Sequence, residues 1–177
     1  MIQKIVPADD PVLRKKSKPV KKIDKRILKL VQDLKDTLVA QKDPTGVGLA
    51  ACQIGKNVRV FAMRDGDRVR AIINPQILKK SDNRQLTTDN REILEGCLSI
   101  IDYYGPLNRP QKLTLKYLNE KGEKKTKIFK GFPAQIVQHE IDHLNGILFT
   151  DKLLEAKKPL YKYNKDKEWE EVDFGNL

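Results

Sequence analysis

The chain has 177 residues, of which 39% are hydrophobic, and its formal net charge is +11. This length fits one domain that buries its core without disulfides, and two cysteines exclude a disulfide framework. Charged or polar residues interrupt every apolar run, which excludes a membrane-spanning helix. We expect no secretory signal, because residues 1–10 lack an apolar core region and a small-residue cleavage site. We therefore expect a single domain over residues 1–177 in a reducing cytoplasm.

The net positive charge of the chain indicates which kinds of partner it could attract. Short clusters of lysine and arginine recur along the chain, and a positive field of this size attracts polyanions such as ribosomal RNA. The basic residues are not interleaved with the aromatic residues that a stacking platform for nucleic acid requires. We favour the interpretation of a generally basic surface and keep transient contact with the ribosome as an alternative.

The first predicted element is an amphipathic helix over residues 23–41. Apolar residues recur there at helical spacing, Asp24 is a candidate N-cap, and the Asp-Pro-Thr-Gly sequence at 43–46 ends the pattern. Strand-like runs at 58–63 and 69–73 flank an Asp-Gly-Asp turn and predict a hairpin. A second hairpin is predicted from residue 112 to 130, around the turn at 119–122.

A second helix is predicted to open at Phe132, with Pro133 in its first turn and Gly146 as its C-terminal stop. Beyond it, residues 152–177 are predicted to form a C-terminal extension, with a hairpin of 160–163 and 169–174 around a turn at 165–167; a frayed helix is the alternative. Strand pairs and two helices without a regular βαβ alternation predict the α+β class. The expected architecture is a single domain of antiparallel strands packed around a central helix.

That central helix carries the sequence His-Glu-Ile-Asp-His at 139–143, which contains both histidines of the chain. His139 and His143 are four residues apart, so on a helix they project from one face and can hold one metal ion. Glu140 then lies beside that ion, where it can take a proton from water. The alternative is a chance occurrence of the pattern on a solvated helix.

A catalytic metal usually has a third protein ligand, and several candidates exist. Phe149 stands where a metzincin protease has its third histidine, which excludes that class. Another protease class would take a downstream glutamate, but the available ones lie in a segment of turn and strand: Glu168, Glu170 and Glu171. Cys97 is the better candidate, because a thiolate binds borderline ions well; the alternative is a small buried residue.

A third motif covers residues 46–53, Gly-Val-Gly-Leu-Ala-Ala-Cys-Gln. It imitates a dinucleotide-binding fingerprint but follows a helix instead of a strand, which excludes that interpretation. Gly46 and Gly48 instead suggest close approach of another backbone, such as a substrate pairing as an added strand. Gln53 offers an amide donor for an oxyanion, or else is a surface residue, and Cys52 reads as packing.

Together, the three segments at 46–53, 95–99 and 139–143 resemble the signatures of the peptide deformylases, in the same order. The resemblance runs from Asp10 through Asp151. It implies a hydrolase that removes the formyl group from the N-terminal methionine of nascent N-formylmethionyl peptides and releases formate. The family's metal is Fe(II), which zinc or nickel can replace.

The resemblance also implies residue roles. The metal ligands would be Cys97, His139 and His143, and Glu140 would be the general base and acid. Gln53 and the Leu98 backbone N–H would stabilise the oxyanion. For the methionine side chain we predict an apolar pocket formed by Val47, Ile136 and Val137.

The chain departs from the family pattern at Ile101, where the family usually has a proline, so the loop expected at 102–106 would take its own path. Arg109 stands at a family arginine position and is predicted to pair with Asp142, with a surface arginine as the alternative.

Two other functions stay open. One is a general metallopeptidase, and the other is a basic RNA- or ribosome-binding module with a structural metal site in which Cys52 is the fourth ligand.

Overall fold

The computed structural model describes residues 1–81, 83–84, 87–88, 91–164 and 168–176, with backbone alone for 83–84, 87–88, 91–92 and 176. Three α-helices lie in this part of the chain: α1 (Lys25–Ala40), α2 (Phe132–Leu144) and α3 (Phe149–Glu155). The strands are β1 (Gly48–Ala50), β2 (Val60–Asp65), β3 (Arg68–Lys80), β4 (Asn83–Arg84), β5 (Thr87–Thr88), β6 (Arg91–Glu92), β7 (Glu95–Cys97), β8 (Ile100–Gly105), β9 (Arg109–Pro110), β10 (Lys112–Leu118), β11 (Lys124–Lys130), β12 (Leu160–Tyr163) and β13 (Trp169–Val172).

The larger sheet has the strand order β1-β2-β3-β10-β11 and is antiparallel throughout. Both hairpins predicted from the alternating pattern are confirmed in it, as the β2–β3 and β10–β11 pairs. Strand β3 runs seven residues beyond the predicted end at Ile73. Asn74 adopts a left-handed φ of 51° there and binds the Val20 backbone through its amide, so the apolar alternation stops although the strand continues.

Helices α1 and α2 cover opposite faces of this sheet. In β2, Phe61 and Met63 pack with the apolar residues of α2, while Val60 and Ala62 pack with those of α1. Alternate residues of a strand point to opposite faces, so β2 is buried on both sides. Asp24 is the N-cap of α1, as predicted, and its carboxylate accepts hydrogen bonds from the Arg26 and Ile27 backbone N–H groups.

The second sheet has the order β13-β12-β8-β7. Strands β12 and β13 pair antiparallel, which agrees with the hairpin predicted for the C-terminal segment. The turn predicted at 165–167 lies outside the described residues. Residues 102–105, expected as a loop, lie in β8, which corrects that expectation. Helix α3 was not predicted, because seven residues are too few for a helical period to show, and it crosses the proposed boundary at residue 152.

Helix α2 lies between the two sheets and carries the histidine motif. Its apolar face joins the main core, and its C-terminus is followed by Gly146 at a φ of 77°, which confirms the predicted stop. The chain is therefore an α+β domain with antiparallel strands around a central helix, as predicted. In the part of the chain that the structure describes, no helix is long and apolar enough to span a membrane.

Candidate metal centre and active site

The three predicted metal ligands converge at one buried point. The Cys97 sulfur lies 3.2 Å from His143 Nε2, which lies 3.1 Å from His139 Nε2. All three ligand atoms lie within 4.8 Å of one another. Strand β7 supplies the cysteine, and one face of α2 supplies both histidines, as their spacing requires.

The electrostatics of this cluster fit a cation. Burial alone would lower the pKa of His139, but hydrogen bonding to Cys97 and Glu95 outweighs it and raises that pKa well above its ordinary value. Surroundings that hold a proton on His139 would also favour a metal ion in its place. Burial lowers the pKa of His143 well below its ordinary value, which leaves a neutral imidazole with a free lone pair. Cysteine sulfur and histidine nitrogen are ligand types of zinc sites, and three protein ligands are the number that a catalytic site uses.

Glu95 fixes the orientation of His139, a role that the sequence analysis missed. Its Oε1 lies 2.7 Å from His139 Nδ1, which directs Nε2 of that ring toward His143. Such a partner sets the tautomer of a ligating histidine. Glu95 is two residues before Cys97 on the same strand, so the period of a strand could have placed both side chains on one face.

Arg109 holds Glu95 in turn. Its Nε and Nη2 donate to the two carboxylate oxygens of Glu95 at 2.6 and 2.5 Å, and its Nη1 donates to Asp142 at 2.8 Å. The predicted pair with Asp142 is therefore confirmed. Burial alone would raise the pKa of Glu95, but the charge and hydrogen bonds of Arg109, with the hydrogen bond of His139, hold it well below its usual range. Glu95 is thus an anion that links the histidine to strand β9.

Glu140 lies beside the cluster with part of its carboxylate uncommitted. The residue is buried, and among the described residues its Oε2 has no hydrogen-bond partner. Burial raises the pKa of Glu140 to about 7, against a smaller opposing effect from His139. A carboxyl group with a pKa near neutrality is suited both to accept and to release a proton.

The glycine at position 48 makes room for this carboxylate. A Cβ atom on Gly48 would lie 2.2 Å from Glu140 Oε1 and 3.0 Å from Cγ2 of Ile136. A Cβ on Gly46 would lie 2.8 Å from a methyl carbon of Leu38. Both glycines therefore allow close contacts with other parts of the protein itself. From the sequence, the close approach was expected from another backbone, such as that of a bound substrate.

Gln53 is buried rather than at the surface, and its amide has a fixed orientation. Its Oε1 accepts a hydrogen bond of 2.8 Å from the Ala50 backbone N–H. Its Nε2 therefore faces the cluster and donates to Ser99 Oγ at 3.2 Å and to the Cys97 sulfur at 3.4 Å. Cys52 is also buried and contacts the His143 carbonyl, and burial raises the pKa of its thiol to about 12.

A cavity of about 190 Å³ opens over the cluster. All the residues predicted for the site line it except His143 and Val137. His143 is more deeply buried than His139, which does line the cavity. Val137 is fully buried in the main core and does not reach the cavity. Tyr104 and Phe132 contribute to the wall, although the sequence analysis assigned them no role.

Comparison with known proteins agrees with this geometry. The sequence model of the polypeptide deformylase family matches residues 2–159. The peptide deformylase of Pseudothermotoga lettingae is 40% identical over 158 residues, which cover 89% of this chain and 86% of that protein. Peptide deformylase 2 of Clostridium acetobutylicum is 42% identical over 151 residues, covering 85% of this chain and 95% of that protein.

Solved structures give the same result. The crystal structure of the peptide deformylase from Thermotoga maritima matches with a TM-score of 0.77 and 36% identity, covering 86% of this chain and 97% of that one. The Synechococcus elongatus peptide deformylase in complex with actinonin matches with a TM-score of 0.75 and 32% identity, covering 84% and 76%. Neither a general metallopeptidase nor an RNA-binding module is supported. The chain belongs to the polypeptide deformylase family, and it is an enzyme that removes the N-formyl group from newly synthesised polypeptides.

Proposed function

We propose that Cys97, His139 and His143 hold one divalent metal ion and that Glu140 transfers the protons of the hydrolysis. The convergence of one sulfur and two imidazole nitrogens within 4.8 Å carries this proposal. By family resemblance the ion is Fe(II), with zinc or nickel able to take its place. When bound, the ion would polarise the formyl carbonyl and make water more acidic.

Glu140 accepts a proton from the attacking water and later delivers it to the departing amide nitrogen. Its free Oε2 and its raised pKa support both steps. Burial also keeps bulk water away from the carboxylate, so the proton is passed to the substrate instead of being lost to solvent. Formate and a free amino terminus are the products.

Gln53 and the Leu98 backbone N–H hold the oxyanion. The hydrogen bond from Ala50 to Gln53 Oε1 turns the amide NH₂ toward the cavity, next to Cys97. One of its N–H groups now donates to Ser99, whose hydroxyl can rotate and release it to a substrate. A donor fixed before the reaction stabilises developing charge without reorganisation.

Replacing Gln53 by alanine is expected to lower kcat about 10²–10³-fold, the usual cost of one oxyanion donor. Metal content, measured by elemental analysis, should stay at the wild-type level because the three ligands are untouched. Ser99→Ala is the matched control, since it removes a partner of Gln53 and leaves the donor in place. An unaltered rate in Gln53→Ala, with its fold confirmed by circular dichroism, contradicts the oxyanion role.

The substrate is an N-formylmethionyl peptide bound in an extended form. Strands β1 and β7 lie at the edges of their sheets in the part of the chain that the structure describes, and both line the cavity. Unpaired backbone groups at a sheet edge can bind a peptide as an added strand, beside Gly46 and Gly48. Val47 and Ile136 supply an apolar surface for the methionine side chain, without Val137.

Purification without oxygen, followed by metal analysis and a formate assay, tests the proposed function. We expect about one divalent ion per chain and formate release from a formyl-Met peptide with every peptide bond intact. Loss of activity on chelation and its return with Fe(II) should follow. Cleavage of peptide bonds would indicate a general peptidase, and a metal-free active enzyme would contradict the proposal. The cytoplasmic location stays a prediction, and so does transient ribosome contact, which the net charge of +11 supports.

A further inference from the structure

Three aromatic rings, Tyr104, Trp169 and Tyr163, form a continuous row from the cavity wall to the surface. Tyr104 lines the catalytic cavity. The Trp169 ring meets Tyr104 edge-on with centroids 5.2 Å apart, and Tyr163 packs on Trp169 at 4.8 Å. We call these three residues the aromatic row; its outer part lies on the C-terminal hairpin, beyond the residues that the family model matches.

Strand register places the row on one face of the second sheet. Tyr104 is opposite Gly96 on β7 and opposite Tyr161 on β12. Tyr163 is two residues beyond Tyr161 and opposite Trp169, so its side chain is on the same face. Gly96 lacks a side chain, and the Tyr104 ring lies over it, since a Cβ there would be 2.6 Å from two ring carbons. Gly96 and Tyr104 on this face both line the cavity, so the row begins at the cavity wall.

The outer end of the row is open to solvent. Trp169 is 52% exposed and Tyr163 is 37% exposed, although both are large aromatic residues. Contiguous exposed aromatic patches are a feature of ligand-binding grooves and protein-interaction surfaces, because their rings offer a rigid apolar surface with a polar edge. The patch continues directly from the catalytic cavity, so its natural occupant is the part of the substrate that leaves that cavity.

We propose that Trp169 and Tyr163 form an outer subsite for a substrate residue that follows the formyl-methionine, with a preference for a large apolar or aromatic side chain. This inference rests on the proposed function. A peptide extended along the edge of β7 passes the Tyr104 ring, and its next side chains reach the row. The C-terminal hairpin thus extends the recognition surface of this chain.

A series of peptides tests the subsite. The short substrate is formyl-Met-Ala, and the long ones are formyl-Met-Ala-Ala-Ala with each alanine replaced in turn by phenylalanine. In the wild type, phenylalanine at one position should lower KM about threefold to tenfold, as expected for one aromatic contact. Trp169→Ala should abolish this gain, Trp169→Phe should keep most of it, and kcat should change little. In both variants the rate on formyl-Met-Ala, which lacks the residues that reach the row, should change less than the rate on the favoured long peptide.

Ile128→Ala is the matched control, because Ile128 is an equally exposed apolar residue on β11 of the other sheet. A phenylalanine gain that survives in Trp169→Ala, or that no position shows in the wild type, overturns the subsite. If wild-type protein releases no formate from any peptide, the proposed function itself fails, which is a different result. Circular dichroism establishes that each variant keeps its fold, and Tyr163→Ala repeats the test with the tryptophan in place.

Tryptophan emission gives a direct readout, because Trp169 is the only tryptophan of the chain. We expect the long peptide with its favoured phenylalanine to change the emission of metal-loaded Glu140→Gln protein in a saturable manner, more than formyl-Met-Ala does. Unchanged emission at saturating peptide overturns the subsite. Emission that changes with protein concentration alone would place a second copy of the chain on the aromatic row and would also overturn it.

Discussion

Glu140→Gln is expected to lower kcat about 10²–10⁴-fold, the range that a positioned general acid–base group supplies. The glutamine side chain has almost the same shape and fits the space against Gly48, but its amide accepts no proton from water. Cys97, His139 and His143 are unchanged, so metal content should equal that of the wild type. Formate release and elemental analysis on the same samples measure both quantities.

Glu155→Gln makes the same chemical change at an exposed position of α3 and should leave the rate unaltered. Glu140→Asp adds a test of position, since the shorter side chain withdraws the carboxylate while keeping its charge. We expect a rate between those of Glu140→Gln and the wild type. Substantial turnover in Glu140→Gln would remove this residue as the proton carrier.

Cys97→Ser is expected to weaken metal binding by more than about 100-fold. Loss of a residue that only hydrogen-bonds a metal ligand typically costs about 10–100-fold in metal affinity, and Cys97 is itself a proposed ligand. A serine hydroxyl has a far higher pKa than a thiol and is a poorer ligand for a borderline ion. Dialysis against a chelator of known affinity, followed by elemental analysis, measures the loss. Activity should fall in proportion to the metal that is lost.

Cys52→Ser is the matched control for this substitution. Cys52 is the other buried cysteine, and its thiol contacts the His143 carbonyl rather than a ligand atom. Burial raises the pKa of this thiol to about 12, so it stays protonated near neutral pH. We expect Cys52→Ser to retain its metal. Full retention in Cys97→Ser together with loss in Cys52→Ser would reverse the assignment.

Much of the fold follows from local patterns in the sequence. Helix α1 and the two hairpins of the larger sheet were predictable because each has a regular apolar period with a capping or turn residue at its end. The extension of β3 past Ile73 was not, since it depends on the contact of Asn74 with Val20, which is 54 residues away. The pairing of β12 with β8 likewise joins distant parts of the chain.

The site shows the same division. His139, Glu140 and His143 share one helix, so their arrangement follows from its period. The role of Glu95 depends on Arg109 and His139, which arrive from two other elements and leave no local pattern. Val137, like Ile136, was assigned to the pocket because it lies about one helical turn before the metal histidines. One residue on a helix is a rotation of about 100°, which turns Val137 into the core.

The contact between Gly48 and Glu140 makes the residue allowed at one signature segment depend on the residue present at another. A side chain at position 48 would clash with the Glu140 carboxylate, so a glutamate at position 140 fits only when position 48 is glycine. A natural variant of this chain with any larger residue at 48 should therefore carry a shorter or displaced group at 140. Positions 48 and 140, which are 92 residues apart in the sequence, are therefore expected to covary.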